Sequence, residues 1–136
     1  MTKRYVLDAN AVLSFVNDEP GASRIEQLIT SALREHNPLL LSVINWGEVF
    51  YISWTRRGEE PARRMMGSIS RFPLQIVPAD VEQISKAAEI KSIHKIPYAD
   101  AIAAALAELR QATLVTSDRD FQKLGHRIQV LWLPRT

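Results

Sequence analysis

Apolar positions in this chain fall into short unbroken runs separated by longer stretches of helical period. Tyr5-Val6-Leu7, Leu39-Leu40-Leu41 and Leu114-Val115 within Thr113–Thr116 show no polar alternation. Runs of that kind are strands buried on both faces. Behind Leu7, a helix is predicted from Asn10 to about Asn17, closed by the loop Asp18-Glu19-Pro20-Gly21. A second follows over Ser23–Glu35, with Ile25, Leu28, Ile29 and Leu33 on one stripe, and Asn37-Pro38 breaks it. Ser42 is placed to cap a helix from Val43 to about Arg57, which Gly58 ends. Another helix runs from Glu60 to about Ser70, and Pro73 to Val77 reads as a short strand. Asp80, with Gln83 three residues on, resembles a capping box opening a helix from Val81 to about Ile93. Pro97 starts an alanine-rich helix, Tyr98 to about Arg110, and strands at Thr113–Thr116 and Gln129–Leu133 close the chain.

Strands alternating with helices predict an α/β fold, with a mostly parallel central sheet of about five strands, helices on both faces and right-handed crossovers. The helix over Val43–Arg57 departs from simple amphipathicity. Ile44, Trp46, Val49, Phe50, Ile52 and Trp54 leave it no clean polar face, so it is buried or half covered by a partner.

At 136 residues the chain is expected to form one domain, 1–136, with a core of its own. No apolar stretch approaches the roughly 20 residues of a membrane span. The opening does not read as a signal peptide, because Asp8 and Asn10 interrupt its apolar run. Without cysteine there is no disulfide framework and no thiolate metal site, which fits a reducing cytoplasm. A formal charge of +2 with a pI near 9.2 permits a polyanionic partner without demanding one.

The acids change the picture more than the net charge does. Asp8 and Asp118 each follow an apolar strand, so parallel strands deliver both carboxylates to one edge of the sheet, the edge where ligands bind in open α/β sheets. Helix capping is the plain alternative for each. Asp100 lies in the first turn after Pro97, where a favourable interaction with the helix dipole would suffice. Its helix, however, carries Ala99, Ile102, Ala103 and Leu106 and belongs in the interior. Glu48 stands four residues from Ile44 and from Ile52, in an apolar row where a solvated Glu is out of place. A Glu reaching water from the edge of that stripe is the other reading. Together, four acids without a Lys or Arg at fixed spacing indicate a site for a hard cation such as Mg²⁺ or Mn²⁺.

Val6-Leu7-Asp8-Ala9-Asn10 with Leu13, the isolated Glu48, Pro97-Tyr98-Ala99-Asp100-Ala101-Ile102-Ala103-Ala104-Ala105 and Leu114-Val115-Thr116-Ser117-Asp118-Arg119-Asp120-Phe121 resemble, in order and spacing, the PIN domain. The length and minimal elaboration resemble the VapC-type ribonuclease toxins of prokaryotic toxin–antitoxin pairs. The resemblance implies a Mg²⁺- or Mn²⁺-dependent endoribonuclease acting on RNA, often structured RNA such as transfer or ribosomal RNA. Its acidic quartet falls on Asp8, Glu48, Asp100 and Asp118, as metal-holding and catalytic residues. Asn10 and Thr116 fall on supporting positions behind the acids, and Asn10 stands where many relatives have Ser or Thr. Asp120 either joins the metal or only starts the following turn, and ranks with the supporting residues. RNA would be positioned through basic side chains, with Arg56, Arg57, Arg63, Arg64 and Arg119 as candidates, Arg119 first because two acids flank it; a solvated helix face is the other reading of these arginines. The resemblance also implies a homodimer and a cognate antitoxin protein. The helix bearing Trp46 and Trp54 suits either contact, or plain core. The three histidines, His36, His94 and His126, lie near element ends and read as unpaired surface residues.

Two other folds with an Asp behind the first strand fit less well. A haloacid-dehalogenase-type phosphatase needs a second Asp where this chain has Asn10. A receiver-type phosphoacceptor needs acids before the strand end and a Lys after a late strand, and this chain has neither. A non-catalytic PIN-like module that binds RNA or protein is the rival from another class, and it should act without a metal.

Overall fold

A computed structural model describes residues 3–135. Five strands, β1 (Tyr5–Leu7), β2 (Leu39–Ser42), β3 (Leu74–Val77), β4 (Thr113–Thr116) and β5 (Val130–Trp132), form one sheet in the order β3-β2-β1-β4-β5. Every pairing is parallel. Among the described residues, six helices connect them: α1 (Ala9–Val16), α2 (Ala22–Glu35), α3 (Val43–Arg57), α4 (Glu59–Ile69), α5 (Val81–His94) and α6 (Tyr98–Leu109). A short 3₁₀ turn over Arg119–Leu124 precedes β5.

Alternation along the strands divides the core in two. Val6, Leu40, Val77 and Leu114 point to the face covered by α5 and α6, where the small residues Ala101, Ala103, Ala104, Ala105 and Ala107 let α6 approach the sheet closely. Leu7, Leu39, Leu41 and Val115 point to the other face, covered by α1 to α4 through Val12, Ile25, Leu28, Val49, Met66 and Ile69. Solid apolar runs were the right signature because both faces are buried.

Topology places the site. From β1 the chain builds outward through β2 to β3, then returns through α5 and α6 to lay β4 on the opposite side of β1. The strand order therefore reverses between β1 and β4, the crevice where open α/β sheets bind ligands. Val6 and Leu7 lie opposite Leu114 and Val115, so the residues following both strands meet at one edge.

Local signals set the element ends. Asp8, Ser42 and Asp80 cap α1, α3 and α5, each accepting a backbone N–H from the first turn. His36 and Lys95 end α2 and α5 in the left-handed region, with φ of 52° and 57°. The capping box at Asp80 is only half made. Asp80 accepts from the Gln83 N–H at 2.9 Å, but the Gln83 side chain is buried and turns elsewhere, accepting from Ser42 Oγ at 2.7 Å and donating to the Pro78 carbonyl at 3.2 Å. That residue ties the start of α5 to the end of β2. No helix among the described residues is long and apolar enough to cross a membrane.

Candidate metal centre

Asp8 leaves β1 directly into the crevice and is 3% exposed. Its Oδ1 accepts from the Ala11 N–H at 2.7 Å, and its Oδ2 accepts from Thr116 Oγ at 2.5 Å. Capping and site placement are thus the same geometry: the cap fixes one oxygen and the β4 hydroxyl fixes the other. Thr116 Oγ also accepts the Asp118 N–H at 2.9 Å. Asn10, in the first turn of α1, accepts with Oδ1 from both the N–H and the hydroxyl of Ser117. Asp8, Asn10, Thr116, Ser117 and Asp118 are therefore one hydrogen-bonded unit across the β1–β4 seam.

Asp100 enters from the first turn of α6, half-buried, and Glu48 from the second turn of α3, also half-buried. Asp118 and Asp120 lie at the start of the 3₁₀ turn, where Asp118 Oδ1 accepts the Asp120 N–H. Carboxylate oxygens of Asp100, Asp118 and Asp120 come within 4.8 Å of one another. Asp120, expected among the supporting residues, stands in this tightest group.

The electrostatics are those of uncompensated negative charge. Burial pushes the Asp8 carboxyl up to about 7, helped by repulsion from Asp118 and Glu48 and opposed by the hydrogen bonds from Thr116 and Ala11. Burial likewise pushes Asp100 up to about 7, joined by repulsion from Asp118, Asp8, Glu48 and Asp120. Among the described residues, no Lys or Arg forms an ion pair with any of the five acids. The donor set is all carboxylate oxygen, the ligand chemistry of a hard divalent cation, and the missing charge has the sign such an ion supplies. The residues fit a cation of that class.

Several expectations require revision. Of the two readings of Glu48, the structure favours a Glu at the edge of the apolar stripe: Ile44 is 39% exposed and Ile52 half-buried. Arg119 is not extended toward solvent. Its guanidinium lies 4.7 Å from the Trp132 ring centroid and donates to the carbonyls of Ser117 and Leu133, each at 3.3 Å. It clasps β5 to the loop that carries Asp118. Arg57 donates to Asn17 Oδ1, and Arg56 is exposed. His36 and His126 are exposed, but His94 is half-buried, with Nε2 3.5 Å from the Arg127 guanidinium.

Two residues of the site escaped the sequence reading. Ser117, between Thr116 and Asp118, pairs with Asn10 across the seam. Asn45, 1% exposed on α3, donates from Nδ2 to Glu48 Oε1 at 2.8 Å and to the Ala99 carbonyl at 3.2 Å. The available signal was an amide one helical turn before an isolated acid.

Comparison with known proteins agrees with this architecture. The family model described as PIN domain matches residues 5–127. No curated protein matches the sequence. Among solved structures, the chain is similar to VapBC2 from Rickettsia felis bound to a promoter DNA fragment, with 18% identity, a TM-score of 0.75, and 96% of this chain and 98% of that chain covered. It is similar to DNA-bound VapBC from Salmonella typhimurium at 20% identity and a TM-score of 0.74, again covering 96% of this chain and 98% of that one. VapC20 of Mycobacterium tuberculosis, a sarcin-ricin loop cleaving toxin, matches at 16% identity and a TM-score of 0.68, covering 89% of this chain and 95% of that chain. Likeness at these identities is likeness of fold.

Proposed function

The chain belongs to the PIN domain family, and from that premise we propose that it is a metal-dependent endoribonuclease that hydrolyses RNA phosphodiester bonds as the toxin of a toxin–antitoxin pair. One observation carries the reading: five acids from four separate elements converge on the β1–β4 crevice, and none has a basic partner among the described residues. A soluble domain gains nothing in stability from such a gathering.

Asp8, Glu48, Asp100 and Asp118 would hold Mg²⁺ or Mn²⁺. When bound, such an ion acidifies a water for attack on phosphorus and neutralises charge developing on the leaving oxygen. The remaining roles belong to the chain itself. Thr116 locks the orientation of the Asp8 carboxylate, and Asn10 locks the Thr116-Ser117 peptide against α1. Asp120, exposed at the rim and within 4.8 Å of Asp100 and Asp118 oxygens, is placed to accept a proton from the attacking water. No histidine is needed. Exposed Arg56 is the candidate for phosphate contacts, while Arg119 serves the loop that carries Asp118.

An apolar surface on α3 supports partners in the same reading. Ile44, Tyr51 and Trp54 are 39%, 60% and 41% exposed, and Arg63 stacks over Phe50 and Trp54 at 5.6 and 5.3 Å. A second copy of the chain and a cognate antitoxin are the partners we assign to the protein. The test is incubation of purified protein with total RNA and Mg²⁺ or Mn²⁺, with EDTA and Asp118→Asn as controls. Discrete cuts that vanish in both controls support the reading. Absence of cuts by folded, antitoxin-free protein overturns it in favour of a non-catalytic binding module.

A further inference from the structure

Asn45 is the one buried side chain, among the described residues, that keeps a polar atom without any partner. Its Oδ1 is enclosed and accepts nothing, while Nδ2 is spent twice, on Glu48 Oε1 and on the carbonyl of Ala99, the residue before Asp100. The amide cannot be turned over. The flipped form would set Oδ1 against a carboxylate and a carbonyl, two acceptors with no hydrogen between them. A buried acceptor left bare weakens the fold, and a stability-driven sequence would place an apolar residue here. What the amide accomplishes instead is geometric: it fastens one acid of α3 to the turn of α6 that delivers another.

The Ala99 carbonyl lies inside the first turn of α6 and has the ordinary helical N–H partner available to it. Glu48 is half-buried and can be solvated if its neighbour is lost. Neither needs Asn45 for the fold to form. Resting on the cation-binding reading of the crevice, we propose that Asn45 is a positioning residue, which fixes Glu48 and the Asp100 turn in the mutual arrangement that the acid cluster uses to hold a divalent cation.

Stability and cation binding should then separate on substitution. Asn45→Leu keeps the branching and heavy-atom count of the amide, is bulkier by roughly two methylenes, and removes all its polar atoms. In EDTA it should unfold close to the wild-type temperature, the lost burial of a bare acceptor offsetting the tighter packing. Its affinity for Mn²⁺, measured by electron paramagnetic resonance of the free ion, should fall about tenfold or more, the usual consequence of losing a group that orients a ligand. Asn45→Ala keeps the backbone undisturbed and leaves a small void. It should unfold at a lower temperature yet lose Mn²⁺ affinity to the same degree. A purely structural Asn45 predicts the reverse pattern, with affinity following stability. Wild-type affinity in either folded variant overturns the positioning role and leaves the cation site standing. Wild-type protein that binds no Mn²⁺ overturns both.

Discussion

The hydroxyl of Thr116 donates to Oδ2 of Asp8 at 2.5 Å across the parallel seam of β1 and β4, joining residues 108 positions apart. The same oxygen accepts the Asp118 N–H. One buried hydroxyl thus holds two acids that the chain brings from opposite ends. Thr116→Val keeps the shape and strips both bonds, leaving a buried carboxylate oxygen and a backbone N–H unpaired. It should cost about 2–3 kcal/mol in urea unfolding, and Thr116→Ser should recover most of that. A valine variant as stable as wild type would show that the seam does not depend on this hydroxyl.

Stability of the metal-free protein should fall as pH rises from 5 to 8. Asp8 and Asp100 have folded pKa values of about 7 against an ordinary 3.8. Between these values the native state binds more protons than the unfolded chain, so unfolding free energy decreases with pH. Below about 3.8 the two groups contribute nothing, and above about 7 the full penalty applies. Glu89, lowered chiefly by its hydrogen bond from Arg127, acts in the opposite sense, and mainly at or below its ordinary 4.5, beneath most of this window. Urea titrations in EDTA at both pH values check the sign, and Mn²⁺ at pH 8 should restore what deprotonation removes. Higher metal-free stability at pH 8 would contradict the electrostatic description.

Asp100→Asn removes one of the mutually repelling charges without changing shape. At pH 8 in EDTA its Tm should rise by about 3 °C, the shift expected of roughly 1 kcal/mol in a chain of this size. Metal-dependent cleavage should fall by at least about 100-fold. A lower Tm would mean that the carboxylate has a stabilising partner after all.

Arg119 tests a different part of the site. Arg119→Ala loses the stacking on Trp132 and two bonds to carbonyls, and should destabilise the protein by about 1–2 kcal/mol with a change in tryptophan emission. Arg119→Lys should recover only a fraction, since an ammonium has no planar fork to spread over both carbonyls and the ring. Full stability in the alanine variant would free Arg119 for a direct contact with RNA.

What the sequence revealed depended on whether a residue's role is local. Asp8 and Asp118 were legible because an apolar run ending on an acid defines both a strand and the edge it reaches. The helix over Val43–Arg57 and the strand over Thr113–Thr116 agree with the structure at both ends, since Ser42 and Gly58 punctuate one and solid burial marks the other. Asn45 was illegible because its importance lies in the Ala99 carbonyl, 54 positions away. Gln83 looked like a local capping residue and proved to bind Ser42 on a neighbouring element. Arg119 drew attention through its acidic neighbours, but Trp132 and Leu133, which claim it, come from the last strand and the residue that follows it. Glu48 was found by an apolar row that the structure places half in solvent, so periodicity identified the residue while leaving its depth open.

The central claim is that these acids bring a divalent cation and a water to an RNA phosphate. It is tested most directly by the chemistry of the ends the purified protein leaves on RNA. Attack by a metal-activated water at phosphorus leaves a terminal phosphate and a free hydroxyl, whereas attack by the neighbouring 2′-hydroxyl leaves a cyclic 2′,3′-phosphate. The account predicts a 5′-phosphate and a 3′-hydroxyl at each new end, formed with Mg²⁺ or Mn²⁺ by wild type and not by Asp100→Asn. Cyclic phosphate ends, or cuts that persist in EDTA, would contradict it.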